Sequence, residues 1–458
     1  MNSIVQIIYD FSPIFVQNIM ITLKGYINNQ SRYGKEYYRY RSFLKGFDDL
    51  DLSQKLDYQR KELVKFIHFA YNNSLFYKKI YKGIDIDSIK SIEDLKKLPI
   101  VDKEMLRENI DLVNTNTGEA YVYGNTGGTT GKSLTIKMTV DDLMRRMAML
   151  DHFKSRVGFE NLKMKRVTFN GKHIIPPKQK KKCFWRYNYA CKQMIFSSFH
   201  LTEENLKYYV EKINCFKPDA IDGFFSSMCD LASYIERHNI KLTFQPIAIF
   251  PTSETLTQEG RKLLERVFHC RVYDQYASSE GAPFVTECIN QVLHMELNTG
   301  VFEHYNGTDE VLITSFSTHG TPLIRYRIGD RMIFADNCNC LCGLDSPIVK
   351  SIEGRKLDFL YTAEGAKINA GNISNLFKYI PNAIIRAQLV QEKIGEVIIY
   401  IEVDENLYKE EYDKILLREF NHTFGDKTNI QIKHVHKIGR ELSGKFRMIK
   451  NNVNMEIE

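Results

Sequence analysis

No stretch of this chain is apolar for long enough to cross a bilayer. The nearest candidate, Ile14 to Leu23, follows Pro13 and is interrupted by Gln17, Asn18 and Thr22. It also lacks the basic start of an export signal. The segment leaves open an amphipathic helix lying on the protein or on a membrane surface. Charge of one sign is scarce as well. The 63 basic and 56 acidic residues among 458 leave a net charge of +7, which favours an anionic substrate but establishes no nucleic-acid binding. The densest basic run, Lys178 to Lys182, follows Pro176-Pro177 and reads as a solvated loop. Nine cysteines, an odd number without an export signal, argue against a disulfide framework. The chain is therefore expected in the cytoplasm. Internal repeats, low-complexity tracts and a G-x-S-x-G elbow are missing too, and the last absence removes one common route to a nucleophilic serine.

What is present is a chain long enough for one large domain and a smaller one. Its 43% hydrophobic and 26% charged residues are ordinary for a soluble globular protein. Residues 1 to about 110 read as mainly helical, with Leu63, Phe66, Ile67, Ala70 and Tyr71 at helical spacing. From about residue 165 short apolar runs at Arg166–Phe169, Ala220–Asp222, Pro246–Phe250 and Arg271–Tyr273 alternate with helical patterns. Those patterns cover Glu203–Asn214, Ser227–His238 and Gln258–His269. Strand–helix–strand repetition implies a largely parallel sheet covered by helices, hence an α/β fold. Glu310–Thr314 reads as a strand of an adjoining sheet. Beyond Gly354-Arg355 about a hundred residues, with strands at Glu396–Val403 and Ile430–His436 around a helix at Glu411–Phe420, suffice for a small α+β domain on a hinge.

The densest chemistry lies in Tyr123-Gly124-Asn125-Thr126-Gly127-Gly128-Thr129-Thr130-Gly131-Lys132-Ser133. Glycines let backbone N–H groups approach an anion, hydroxyls donate further bonds, and lysine adds a point charge. The pattern G-x-x-x-x-G-K-[ST] of a P-loop fails by one residue, because Thr126 stands where its first glycine belongs. A Gly/Thr-rich turn between strands is the structural alternative.

T-G-G-T-T-G-K-S closely resembles the phosphate loop of adenylate-forming enzymes, in particular the phenylacetate–coenzyme A ligase branch. Other segments resemble the same family in the same order. Leu98-Pro99-Ile100-Val101-Asp102-Lys103 looks like its lead-in to the loop, and Ser253-Glu254 like the step beside its adenine pocket. Tyr273-Asp274-Gln275-Tyr276-Ala277-Ser278-Ser279-Glu280 is similar to its Tyr-Gly-x-Ser-Glu motif, in which an aromatic ring stacks on adenine and the glutamate helps to hold magnesium. A single positioned Glu280 suits magnesium, which prefers one or two carboxylates plus phosphate oxygens. Tyr326-Arg327-Ile328-Gly329-Asp330 resembles Tyr-Arg-x-Gly-Asp, whose aspartate accepts hydrogen bonds from both ribose hydroxyls. A charged turn between strands is the alternative for that segment. Gly354-Arg355-Lys356-Leu357-Asp358 looks like the family's hinge, with Leu357 replacing its first aspartate. Ser443-Gly444-Lys445-Phe446-Arg447 resembles the C-terminal loop whose lysine reaches the substrate carboxylate and α-phosphate.

The resemblance spans roughly Leu98 to Lys450. It implies an adenylate-forming fold with an N-terminal nucleotide- and acid-binding domain over 1–354 and a mobile cap over 355–458. The implied nucleotide-binding residues are Thr126, Gly127, Gly128, Thr129, Thr130, Gly131, Ser253, Glu254, Asp274, Tyr276, Ser279, Asp330 and Arg355, and the implied catalytic residues are Lys445, Glu280 and Lys132. Phe169-Asn170-Gly171-Lys172, Phe184-Trp185-Arg186-Tyr187-Asn188 and Phe196 to Leu201 look like the capsular polysaccharide biosynthesis, CapK-type, branch. Clustered cysteines add a structural zinc site of Cys288, His294, Cys340 and Cys342. The resemblance of Cys-x-Cys-Gly to an element of phenylacetate-ligase relatives favours Cys340 and Cys342 over Cys338, and reduced thiols with a satisfied histidine are the alternative.

The expected activity is adenylation of a small carboxylic acid by ATP and magnesium, followed by transfer to coenzyme A. Two competitors are transfer to an amine or hydroxyl of a sugar, and a nucleotide-binding scaffold without turnover. Neither nucleic acid nor a transmembrane segment is expected.

Overall fold

The computed structural model describes residues 3–125, 134–177, 179–254, 256, 258–336, 340–352, 359–369, 373, 376, 377, 380, 383–403, 405, 408–436, 438 and 449–453. Four helices open the chain: α1 (Ser3–Phe11), α2 (Ile14–Gln30), α3 (Lys35–Asp48) and α4 (Leu52–Asn73). The last begins on a capping box in which the Asp51 side chain accepts from the Gln54 N–H and Gln54 returns the bond. Its expected apolar stripe is buried at Leu63, Phe66, Ile67 and Ala70. A ribbon of β1 (Tyr121–Asn125) and β2 (Thr135–Thr139) brackets the glycine-rich loop, whose residues Thr126 to Ser133 lie outside the described ones.

The alternating region forms the expected parallel sheet. Its strands are β3 (Arg166–Asn170), β4 (Trp185–Asn188), β5 (Gln193–Ser197), β6 (Ala220–Phe224), β7 (Ala248–Thr252) and β8 (Arg271–Val272), in the order β4-β5-β3-β6-β7-β8. All neighbours are parallel except β4, which runs antiparallel along one edge. Helices Glu203–Phe216, Phe225–Arg237 and Gln258–Phe268 make the crossovers. Gly223 in β6 has φ +119°, and a Cβ there would sit 1.8 Å from the Phe169 carbonyl oxygen, so no larger residue fits between β3 and β6.

A second sheet adjoins the first, as the strand at Glu310 anticipates, but it is antiparallel throughout. It holds β9 (Gln275–Tyr276), β10 (Val285–Glu287), β11 (Leu293–Met295), β12 (Gly300–His304), β13 (Glu310–Ser315), β14 (Tyr326–Phe334) and β15 (Ile348–Ile352), ordered β12-β13-β14-β15-β11-β10-β9. The helices α4 and Leu75–Ile80 pack on it through Leu63, Phe66, Ile67, Tyr77, Val301 and Ile313.

The C-terminal part has a ribbon of β16 (Phe359–Tyr361) and β17 (Lys367–Asn369), and a sheet ordered β20-β19-β18-β21 from β18 (Ile384–Lys393), β19 (Glu396–Val403), β20 (Asn429–His434) and β21 (Ile449–Asn451). Helix Glu411–Phe424 buries Leu416, Phe420 and Phe424 on that sheet. This part meets the parallel sheet at Phe199, which joins the C-terminal core, and at His173. The His173 ring stacks on Phe199 at 4.6 Å, lies 3.9 Å from His422, and has its Nε2 3.3 Å from the Thr423 hydroxyl. The proposed hinge at Arg355 and Leu357 and the loop carrying Lys445 lie outside the described residues.

Candidate active site and metal centre

Ligands of open parallel sheets bind beyond the carboxyl ends of the strands. Here β7 is followed by Ser253, which is exposed and held at φ +69°, an unusual backbone for a residue with a Cβ. Half-buried Glu254 follows it. The next strand, β8, hands the chain to Tyr273, whose N–H donates to the Ile249 carbonyl, and then to Asp274. Burial, together with the neighbouring Glu287 carboxylate, pushes the Asp274 carboxyl up to about 7. The Asp274 N–H donates to Glu287 Oε2 at 2.7 Å, so the segment is fastened to β10.

Tyr276 and Asp330, far apart in sequence, meet here: the phenol Oη donates to Asp330 Oδ2 at 2.8 Å. A bulge in β14 makes this contact. Arg327 pairs with Leu312 and Arg331 with Glu310, so Ile328, Gly329 and Asp330 stand opposite Val311 alone. Gly329 takes φ +83° to make the bend. The Leu98–Val101 segment docks alongside, with the Arg327 N–H donating to the Val101 carbonyl and the Val101 N–H to the Arg325 carbonyl. Arg325, at φ +46°, donates from Nη1 to the Leu98 carbonyl at 2.6 Å. Two segments that resemble the same family in sequence are thereby joined into one wall.

Glu280 sits on a turn in which the Gly281 N–H donates to the Ser278 carbonyl. Buried Arg146 grips this turn, donating to the carbonyls of Ala282 at 2.8 Å and Ser278 at 3.2 Å with its guanidinium over the Phe284 ring. Burial lowers its pKa to about 10. The Ser315 hydroxyl holds the Gly281 carbonyl. On this clamped turn Ser279 is exposed, and Glu280 lies 3.9 Å from Lys103 Nζ, with both side chains largely buried. Arg146 and Lys103 were not read as site residues from sequence. Nothing local marks Arg146, since its role is set by a helix packing under a distant turn, whereas Lys103 lies within a segment whose resemblance was visible. Of the other expected site residues, Thr126, Gly127, Gly128, Thr129, Thr130, Gly131, Lys132, Arg355 and Lys445 lie outside the described residues.

The four expected metal ligands converge. The hairpin β10–β11 carries Cys288 just beyond β10 and His294 within β11, and Cys340 and Cys342 come from the approach to β15. Their ligand atoms all lie within 4.8 Å of one another. Cys288 Sγ is 3.7 Å from Cys340 Sγ, and Cys342 Sγ is 3.5 Å from His294 Nε2. A tetrahedral zinc with bonds of about 2.3 Å to sulfur and about 2.0–2.1 Å to nitrogen has S···S edges of about 3.8 Å and S···N edges of about 3.5–3.6 Å. The donor set and both spacings fit such an ion. Burial lowers the His294 pKa, which favours the neutral imidazole that a metal requires. Cys338 lies outside the described residues.

With this geometry in hand, comparison with known proteins is decisive. A relative described as Protein CapK of Staphylococcus aureus is 37% identical over 97% of this chain and 99% of its own length. The chain belongs to the CapK family. The model of the CapK C-terminal domain matches residues 360–452. Phenylacetate-coenzyme A ligase of Pseudomonas putida is 23% identical over 63% of this chain and 69% of that protein. Among solved structures, 2-hydroxyisobutyryl-CoA ligase with 2-HIB-AMP and CoA in the thioesterification state aligns at a TM-score of 0.56 and 16% identity, covering 89% of this chain and 91% of that one. The same enzyme in the postadenylation state with R3-HIB-AMP gives 0.55, covering 88% and 91%. This CapK-family chain therefore has the adenylate-forming ligase fold.

Proposed function

We propose that this CapK-family chain is an AMP-forming ligase that activates a carboxylic acid with ATP and passes the acyl group to coenzyme A, within a surface-polysaccharide pathway. The observation that carries this reading is the hydrogen bond between Tyr276 and Asp330 at the carboxyl edge of the parallel sheet, beside Glu280 on its clamped turn. The phenol fixes the orientation of a carboxylate, a group able to accept from the vicinal hydroxyls of a ribose. The Tyr276 ring would offer the aromatic face on which a flat base stacks. Only the CapK name supports the pathway, and the likeness to phenylacetate-coenzyme A ligase and 2-hydroxyisobutyryl-CoA ligase supports the chemistry.

In the first half-reaction a carboxylate oxygen of the acid attacks the α-phosphorus of ATP, and the bond to pyrophosphate breaks. In the second, the thiol sulfur attacks the acyl carbon of the adenylate, the carbon–oxygen bond to AMP breaks, and the thiol proton passes to solvent. Both steps ask for positioning and charge stabilisation rather than for a nucleophilic side chain. Asp330 and Tyr276 hold the nucleoside, Glu280 would supply a carboxylate to a magnesium ion whose charge would screen the phosphates, and Lys103 faces that carboxylate at 3.9 Å. Lys132 of the glycine-rich loop and Lys445 of the C-terminal loop stabilise the phosphate charge, with Thr126 to Gly131 lending backbone N–H groups. Arg355 and the neighbouring Leu357 mark the pivot between 1–354 and 355–458. Cys288, His294, Cys340 and Cys342 would hold a structural zinc, fastening the β10–β11 hairpin to the approach to β15.

Carboxylate-dependent exchange of labelled pyrophosphate into ATP tests the reading. Exchange with at least one acid supports it. Failure over a broad acid panel by protein that binds ATP would favour a scaffold.

A further inference from the structure

The two N-terminal helices are amphipathic the wrong way round. Apart from Ile21, which packs on Ile174, Ile175 and Ile195, the inner side of α2 is largely polar or small, and it bonds to the backbone of the sheet's edge strand β4 and the turn that follows. The Tyr187 N–H donates to Asn18 Oδ1 at 3.0 Å, the Tyr189 N–H to the Thr22 hydroxyl at 3.1 Å, and Asn29 Nδ2 to the Ala190 carbonyl. Gln17 is buried against Arg186, and Gly25 packs so closely on Asn188 that a Cβ would lie 2.6 Å from it. The opposite side of α2 presents Phe15, Ile19, Leu23, Tyr26 and Ile27 to solvent, each more than half exposed. These positions fall on one face at helical spacing. In α1 the inner residue is Tyr9, whose hydroxyl donates to the Ile174 carbonyl, while Ile4, Ile7, Ile8 and Phe11 face outward. Phe11, at the corner between the helices, is 81% exposed.

A contiguous apolar face of this size on a folded protein calls for a partner. Charge selects which one. Between Ser3 and Lys35 the chain carries one acidic residue, Asp10, against Lys24, Arg32 and Lys35. The loop with exposed Lys180, Lys181 and Lys182 reaches the same corner, where Lys181 lines a crevice with Phe11, Pro13 and Gln179. Lysines are depleted at protein–protein interfaces, but they flank the apolar face of helices that lie in the headgroup region of anionic membranes. Among the described residues no helix is long and apolar enough to cross a membrane, so a helix pair of this kind lies on the surface.

We propose that α1, α2 and the Lys180–Lys182 loop form a docking surface for an anionic phospholipid bilayer, with Ile4, Ile8, Phe11, Phe15, Ile19 and Leu23 entering the acyl boundary and the lysines meeting the headgroups. The surface is separate from the nucleotide site, and the proposal does not depend on the ligase reading.

The test is flotation of the full-length chain with vesicles of phosphatidylcholine containing about one quarter phosphatidylglycerol, against phosphatidylcholine alone. Binding to the anionic vesicles that weakens with salt is expected. The triple variant Phe11→Ser, Phe15→Ser, Ile19→Ser should abolish it. All three side chains are exposed, so an unchanged thermal melt shows that the loss is not unfolding. Charge reversal at Lys180, Lys181 and Lys182 should lower the apparent affinity about a hundredfold or more, at about fivefold per basic residue lost. No flotation with anionic vesicles overturns the proposal. So does binding that the serine variant retains, or a stable dimer dispersed by that variant and unaffected by vesicles, which would assign the face to a second copy.

Discussion

Replacing Cys340 and Cys342 together by serine removes two of four ligands whose spacing already matches a tetrahedral zinc, with Cys288 3.7 Å from Cys340 and Cys342 3.5 Å from His294. The expected loss is one zinc per chain. Two remaining ligands cannot hold the ion against solvent, because structural sites are four-coordinate and closed. The cost to stability follows from what the ion joins. The β10–β11 hairpin and the approach to β15 are otherwise linked by short pairings, two residue pairs between β11 and β15 and three within the hairpin. A metal present at about a thousand times its dissociation constant contributes about 4 kcal/mol to the folded state. At about 2–4 °C per kcal/mol for a large domain, the variant should melt on the order of 8–16 °C lower. Burial pushes the Cys342 thiol up to about 12, so a metal that binds there must displace a proton, and zinc should leave as pH falls. Metal analysis of protein purified without added zinc, then calorimetry of both forms with and without chelator, supplies the numbers. Wild-type protein without stoichiometric metal, or a chelator that leaves its Tm unmoved, would refute the reasoning.

Three further outcomes are expected. Asp330→Ala should weaken ATP binding by about 2–4 kcal/mol with little change for the acid, whereas Tyr276→Phe, which removes only the orienting phenol, should cost about 1 kcal/mol, both read by calorimetric titration; equal affinities for ATP in folded variants would remove the ribose role. Lys445→Ala should slow adenylate formation about a hundredfold or more and leave consumption of a preformed acyl-adenylate nearly normal, and equal slowing of both half-reactions would make Lys445 a structural residue. The half-buried His200, whose pKa is lowered from 6.5 to about 4 by desolvation and then by His422 of the C-terminal part, takes up a proton more readily unfolded than folded. Its stabilising effect is therefore present above pH 6.5 and lost as pH falls toward about 4, so thermal melts should drop across that window less steeply for His200→Gln than for wild type.

Legibility from sequence followed the range of the determining interactions. The parallel sheet could be read because buried strands and crossover helices each carry their own period, and Glu203–Phe216 and Gln258–Phe268 lie within two residues of expectation. The antiparallel sheet could not. Its strands are as short as Gln275–Tyr276 or Leu293–Met295, and their pairing order is set by contacts across the chain. Asp330 and Tyr276 were each visible through the segments around them, yet their hydrogen bond depends on a bulge that only the register with Glu310 and Leu312 defines. Arg146 was invisible for the same reason, because one arginine on a helix carries no sign of the turn it will hold. The candidate metal ligands were legible since clustered thiols are uncommon in a chain with no disulfide framework. The inverted helices were half legible: the segment from Ile14 left an amphipathic helix open, but which face the protein would cover depended on the edge strand Trp185–Asn188.

The central claim is that this chain activates a carboxylate as its adenylate. Exchange of labelled pyrophosphate into ATP, measured over a panel of acids with purified full-length protein and magnesium, tests it without knowledge of the acceptor. Exchange that appears with one acid class, needs that acid and falls sharply in Asp330→Ala is the predicted result. Protein that binds ATP tightly yet exchanges no pyrophosphate with any acid in the panel would contradict it.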